Sequence, residues 1–135
     1  MKSTTALAAL LLFFQSSVAA LAFDHSGLSY LELAEYYAGK GESIAALRYY
    51  DKALAAAPSD SLLFQSRGFY FISLHDPERA LDDFARQISL SPTEPAGYLN
   101  RGMLLGSLER DAAASAEFRR ACELGSADGC LQLKR

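Results

Sequence analysis

"SLLFQSRGFYFISLHDPERALDDFARQISLSPTE", residues 61–94, contains the plan of the whole chain. Phe64, Gly68 and Phe71 stand at its fourth, eighth and eleventh places, spacings of four and three that put them on one stripe of a helix. Ala80, Phe84 and Gln87, at the twentieth, twenty-fourth and twenty-seventh places, form a second stripe. Between the stripes, "LHDPERA" offers Asp76 as a helix cap and Pro77 at the first helical position, where a missing N–H costs nothing. Pro92 then refuses to continue the second helix. The stretch predicts two helices joined by a turn.

The same residue types recur in register on both sides, in "GLSYLELAEYYAGKGESIAALRYYDKALAAAPSD" (27–60) and "PAGYLNRGMLLGSLERDAAASAEFRRACELGSAD" (95–128). Fourth place holds Tyr30, Phe64 and Tyr98; eighth place holds Ala34, Gly68 and Gly102; eleventh place holds Tyr37, Phe71 and Leu105. Ala46, Ala80 and Ala114 fill the twentieth place, and Tyr50, Phe84 and Phe118 the twenty-fourth. Small residues are expected where two helix axes approach to roughly 8–10 Å, with aromatics filling the volume around each contact, so the aromatics at these places are assigned to the core. Glycines in "AGKGES" supply the turn of the first block, and Pro58 and Pro92 end the first two. A fixed period of this length is the signature of a stacked repeat array.

In these positions the chain resembles a tetratricopeptide-repeat (TPR) protein over residues 27–128. The resemblance implies an all-α fold, an α-solenoid of three TPR helix-turn-helix repeats plus a C-terminal capping helix. The expected divisions are a signal peptide at 1–22, a short segment at 23–26, repeats at 27–60, 61–94 and 95–128, and a cap at 129–135. Two positions depart from the pattern: Gln87 stands where a small residue is usual, and Ser126 where a third proline would fall. The stretch from Ala127 to Arg135 is expected to form a short final helix over the exposed edge of the third repeat.

The first 22 residues, "MKSTTALAALLLFFQSSVAALA", carry Lys2 as their only charge, an apolar run from Ala6 to Phe14, and small residues ending at Ala22. That is the order of parts in a secretory signal, with cleavage expected between Ala22 and Phe23. Gln15-Ser16-Ser17 interrupts the run short of the ~20 apolar residues a membrane-spanning helix needs. The expectation is an exported protein, periplasmic or secreted, with no membrane insertion after cleavage. Without Lys2 the chain has 12 basic against 16 acidic residues. This mild acidity, with no Lys/Arg cluster, argues against nucleic acid as a partner.

Both cysteines lie in "ACELGSADGC", 121–130. In the repeat frame Cys122 ends the last repeat helix, Gly125 breaks it, and Cys130 lies on the helix that folds back. In an exported protein a disulfide is the expected state, and the stretch also resembles the end of a Sel1-like repeat, whose exported members bridge cysteines at this spacing. A metal site would need about four ligands, and only His25 and His75 could add imidazoles. No Cys-x-x-Cys redox motif occurs. His75-Asp76 lies in a turn where Asp76 has a capping role, and Asp82-Asp83 reads as a solvated helix face. No catalytic residue, metal or cofactor is expected, and the chain reads as a non-enzyme.

In TPR proteins the first helix of each repeat lines a concave groove. Carried across, its places fall on Leu28, Leu31, Glu32, Glu35, Leu62, Gln65, Phe69, Ile72, Ala96, Leu99, Asn100 and Met103. Five of them, Leu62, Phe69, Ile72, Leu99 and Met103, would expose apolar surface with no core role, and exposed apolar surface marks interfaces. The Lys/Asn/Arg clamp with which some TPR domains hold chaperone C-termini is matched only at Asn100. The resemblance implies a protein-binding adaptor or scaffold whose partner is another protein or peptide segment. A homo-oligomer that covers its own groove is the alternative, with a Sel1-like ligand-binding protein or enzyme third.

Overall fold

The structure is a computed structural model that describes residues 29–134. Seven helices run through these residues: α1 (Tyr30–Gly39), α2 (Ser43–Ala56), α3 (Ser61–Ser73), α4 (Pro77–Leu90), α5 (Pro95–Ser107), α6 (Asp111–Glu123) and α7 (Ala127–Gln132). The signal peptide assigned to 1–22, the segment 23–26 and Leu28 lie outside the described residues. α1 with α2, α3 with α4, and α5 with α6 form three helix pairs, and α7 packs on α6 as a cap.

Several of the helix starts have a local cause. Ser29 and Glu32 form a capping box, the Ser29 Oγ accepting from the Glu32 N–H and the Glu32 carboxylate accepting from the Ser29 N–H at 2.6 Å. Asp60 caps α3 by accepting from the Leu62 N–H at 3.0 Å. Asp76 caps α4 by accepting from the Arg79 N–H, with Pro77 at the first position as expected.

The turn inside each pair is one motif repeated at the sequence period. Gly41, His75 and Glu109 all have positive φ, at 75°, 58° and 59°. After each, an N–H reaches back across the helix end: Glu42 to the Tyr37 carbonyl, Asp76 to Phe71, Arg110 to Leu105, at 2.9–3.0 Å. This is the Schellman arrangement, which satisfies orphan carbonyls at a helix C-terminus. The turn from α6 into α7 is the same motif, with Gly125 at φ 96° and the Ser126 N–H donating to the Ala121 carbonyl at 2.9 Å. The third block accordingly has no proline at 126: proline has no N–H to donate, and this turn differs from the Pro58 and Pro92 turns that lead into a new pair.

The periodic small and aromatic residues meet as pairs across each helix-turn-helix. A Cβ at Gly68 would lie 2.8 Å from the Phe84 ring, and one at Gly102 would lie 2.8 Å from the Phe118 ring. Ala46, Ala80 and Ala114 are buried, and so are Tyr50, Phe84 and Phe118. Between pairs, Ala53 and Leu54 of α2 pack on Leu63 and Phe64 of α3, with Leu31 of α1 against the same cluster. Phe71, Ala80 and Phe84 then pack with Leu104 of α5. Not every periodic aromatic reaches the core. Tyr30 is exposed and lies beside Tyr49 and Lys52, whereas Phe64 at the same place is buried against α2.

Candidate functional site

Leu62, Gln65, Phe69 and Ile72 recur at i, i+3, i+7 and i+10 on α3, which places them on one face of that helix. Ala96, Leu99, Asn100 and Met103 recur at i, i+3, i+4 and i+7 on one face of α5, and on α1 Leu31 and Glu35 stand four apart with Glu32 beside them. Leu62 is 62% exposed, Met103 56%, Phe69 47% and Ile72 37%, an open apolar stripe rather than core. Leu99 and Asn100 are half-buried, and Leu31 is drawn down against the core cluster beneath. A cleft of about 570 Å³ between α1, α2 and α3 is lined by Ser29, Tyr30, Leu31 and Leu63 among others. A smaller one of about 300 Å³ brings Ile72 and His75 beside Leu104 and Ser107 of α5 and Leu108 at its C-cap.

Polar groups on this face are few. Gln87, only 4% exposed, donates its amide N–H to the Gln65 Oε1 at 2.7 Å, so the residue that breaks the small-residue rule holds a groove residue from below. Gly97 of α5 lies over the same part of α4, where a Cβ would come within 2.8 Å of the Ile88 side chain. Glu32 is occupied by the cap of its own helix, and this hydrogen bonding from Ser29 holds its carboxyl below the usual carboxylate range.

One sequence expectation about charge is overturned. Asp82 is exposed, but Asp83 is 3% exposed and held by Arg67 through Nε–Oδ2 at 2.9 Å and Nη2–Oδ1 at 2.8 Å. Arg67 also reaches Asp51 of α2 at 2.8 Å, tying the first pair to the second. A step of one residue turns a helix by about 100°, enough to separate Asp82 in water from Asp83 against α3. In the next repeat Arg101 holds Glu117 at 2.6 Å. The signal was present in the sequence, since seventh and twenty-third places read Arg/Asp and then Arg/Glu, whereas the first block has Leu33 and Tyr49 there. Bonding to Asp83 raises the Arg67 guanidinium pKa further above its ordinary value.

The groups considered for chemistry are otherwise engaged. The Asp76 carboxylate accepts from the Arg79 backbone N–H and from its Nε at 2.6 Å, which lowers its pKa, while His75 is exposed beside it. Among the described residues no group of His, Cys, Asp and Glu is placed to hold a metal ion, and no helix is long and apolar enough to cross a membrane. Cys122 and Cys130 are joined in a disulfide with Cα atoms 4.6 Å apart, fastening α7 to α6. Gly129 makes that approach possible: a Cβ there would lie 2.8 Å from the Ala121 Cβ.

Three helix pairs with this stacking and this period have counterparts among known proteins. The first TPR of Spaghetti (RPAP3), solved bound to the HSP90 peptide SRMEEVD, matches with a TM-score of 0.66 at 21% identity, over 84% of this chain and 93% of that one. The fold is a tetratricopeptide-repeat solenoid. A MamA crystal structure matches the TPR solenoid with a TM-score of 0.65 at 24% identity, over 77% of this chain and 58% of that one. In sequence, a tetratricopeptide repeat family model matches residues 28–60 and 95–126. The middle repeat falls between the matched ranges, yet α3 and α4 carry the same buried Gly68, Ala80 and Phe84 as their neighbours.

Tetratricopeptide repeat protein 28 of Homo sapiens is 32% identical over 78 residues, 58% of this chain and 3% of that protein. The co-chaperone DNJ1 of Fusarium oxysporum f. sp. lycopersici, which has tetratricopeptide repeats and a J domain, is 31% identical over 88 residues, 65% of this chain and 17% of that protein. The chain thus spans a small part of these relatives.

Proposed function

We propose that this TPR solenoid is a non-catalytic adaptor, exported to the periplasm or the medium, that holds a segment of another protein across α1, α3 and α5. The observation that carries this reading is the exposure of Leu62, Phe69, Ile72 and Met103 on consecutive first helices, apolar surface that a monomer gains nothing by leaving in water. Peptide binding by a TPR domain of this fold has precedent in the neighbour solved with an HSP90 peptide. The role in an envelope or secreted assembly rests on the signal-like N-terminus and on the disulfide, a bond that persists in oxidising compartments.

The test uses the full chain with a C-terminal tag, expressed in its own host, beside a Phe69→Glu, Met103→Glu double variant. The adaptor reading expects a protein retained by the wild type and lost from the variant, and N-terminal sequencing to begin at Phe23. If sedimentation at micromolar concentration shows a dimer that Phe69→Glu dissociates, the groove serves self-association. If both baits retain the same proteins, the stripe is not a recognition surface.

A further inference from the structure

Charge on the exposed stripe is one-sided. Its α1 end carries Glu32 and Glu35, both exposed, and no stripe position on α1, α3 or α5 holds Lys or Arg. Several basic side chains of the surrounding helices are engaged elsewhere, Arg67 with Asp51 and Asp83, Arg101 with Glu117, Lys40 over the Tyr36 ring, and Lys52 over Tyr30 and Tyr49, while Arg48 stands exposed on α2. Glu32 is engaged by Ser29, whereas Glu35 has no ion-pair partner among the described residues. Glu35 is thus the carboxylate that a partner can use. Beyond it the stripe is apolar, interrupted by the half-buried amides of Gln65 and Asn100. The Gln65 oxygen is taken by Gln87, and its NH₂ donates to no group among the described residues, which leaves it for a carbonyl of the partner's backbone.

Resting on the groove reading above, we infer that the concave face selects an apolar segment bearing a basic residue, and disfavours acidic segments. The basic residue lies at the α1 end against Glu35, and apolar side chains lie over Leu62, Phe69 and Met103. Complementary charge at a solvent-exposed rim changes affinity by a few-fold and sets which partners are rejected.

A random twelve-residue peptide library displayed on phage, selected against the full chain and then screened against Phe69→Glu and Glu35→Lys, tests this. Circular dichroism of both variants establishes that they are folded. The expected result is a set of clones rich in Leu, Ile, Phe or Met that also carry Lys or Arg, lost on Phe69→Glu and weakened about three- to tenfold by Glu35→Lys. Clones lost on Phe69→Glu that carry acidic residues, show no charge bias or ignore Glu35→Lys would leave the groove standing and overturn the charge selection. Clones indifferent to Phe69→Glu would remove the groove reading, and this inference with it.

Discussion

Arg67 clamps Asp83 through two near-parallel hydrogen bonds of 2.9 and 2.8 Å, and thirty-four residues further on Arg101 reaches Glu117 from the equivalent place. Neither charge in the first pair is well hydrated, since Asp83 is buried and Arg67 half-buried. A buried pair of this kind is weak evidence of net stabilisation, yet breaking it from one side is costly. Asp83→Ala should lower unfolding free energy in urea by about 3 kcal/mol, while Arg67→Met with Asp83→Leu should recover most of the loss. An Asp83→Ala effect below 1 kcal/mol would show that water reaches Arg67 freely.

The disulfide is expected to act locally. Cys122→Ser with Cys130→Ser frees an eight-residue separation, and loop entropy puts its contribution at about 2.5 kcal/mol. A helix of only six residues has little stability by itself, so amide exchange should accelerate first in α7 and leave α3 and α4 protected. Uniform acceleration throughout the chain would mean that the cap and the solenoid unfold as one unit.

His75 and Glu109 occupy the left-handed turn position that Gly41 fills in the first repeat. A side chain there is strained by roughly 1–2 kcal/mol, partly offset by the greater freedom glycine has when unfolded. His75→Gly should therefore raise stability by about 0.5 kcal/mol, and Gly41→Ala should lower it by about 1 kcal/mol, read as opposite shifts in Tm. If His75→Gly destabilises, the turn draws more from the side chain than its backbone geometry shows.

Tyr50 is buried between the first two repeats, and burial, reinforced by the Glu35 charge and by Tyr70, pushes its phenol up to about 12. The folded state keeps this proton while the unfolded chain loses it near 10, so the stabilisation is complete below pH 10 and disappears as pH rises through 12. The loss is on the order of 2 kcal/mol. Ultraviolet titration should show Tyr50 ionising late among the seven tyrosines, and Tyr50→Phe should flatten the alkaline slope of stability. A slope unchanged in Tyr50→Phe would assign it to other groups.

Helix number, pairing and the places of the buried Tyr50, Phe64, Phe84 and Phe118 were readable from the period, because each repeat must bury the same stripe against a neighbour of the same shape, whereas Tyr30, at one of the same places, is exposed. Asp76 and Pro77 announced the start of α4 from adjacent residues, since a helix cap is a contact between positions two or three apart. Of the five positions expected to expose apolar surface, Leu62, Phe69, Ile72 and Met103 stand exposed, while Leu99 is half-buried. Gln87 and Asp83 were not legible in the same way. Each is polar where a residue-by-residue reading expects a small or a solvated side chain, and each is bonded to a group on another helix, Gln65 and Arg67, 22 and 16 residues away, with the buried Gln87 Oε1 left without a partner among the described residues.

The amino-acid sequence by itself determined the all-helical repeat architecture, the turn glycines and the cysteine spacing, because these follow from periodicity and from local backbone chemistry. Tertiary structure decided which polar residues are buried and with whom, that Tyr30 remains exposed while Phe64 is buried, and that the turn into the cap copies those inside the repeats. Burial and hydrogen-bond partners depend on the distance and angle between helices far apart in the chain. A linear pattern specifies the stripe that each helix must cover, and only the packed neighbours determine what covers it.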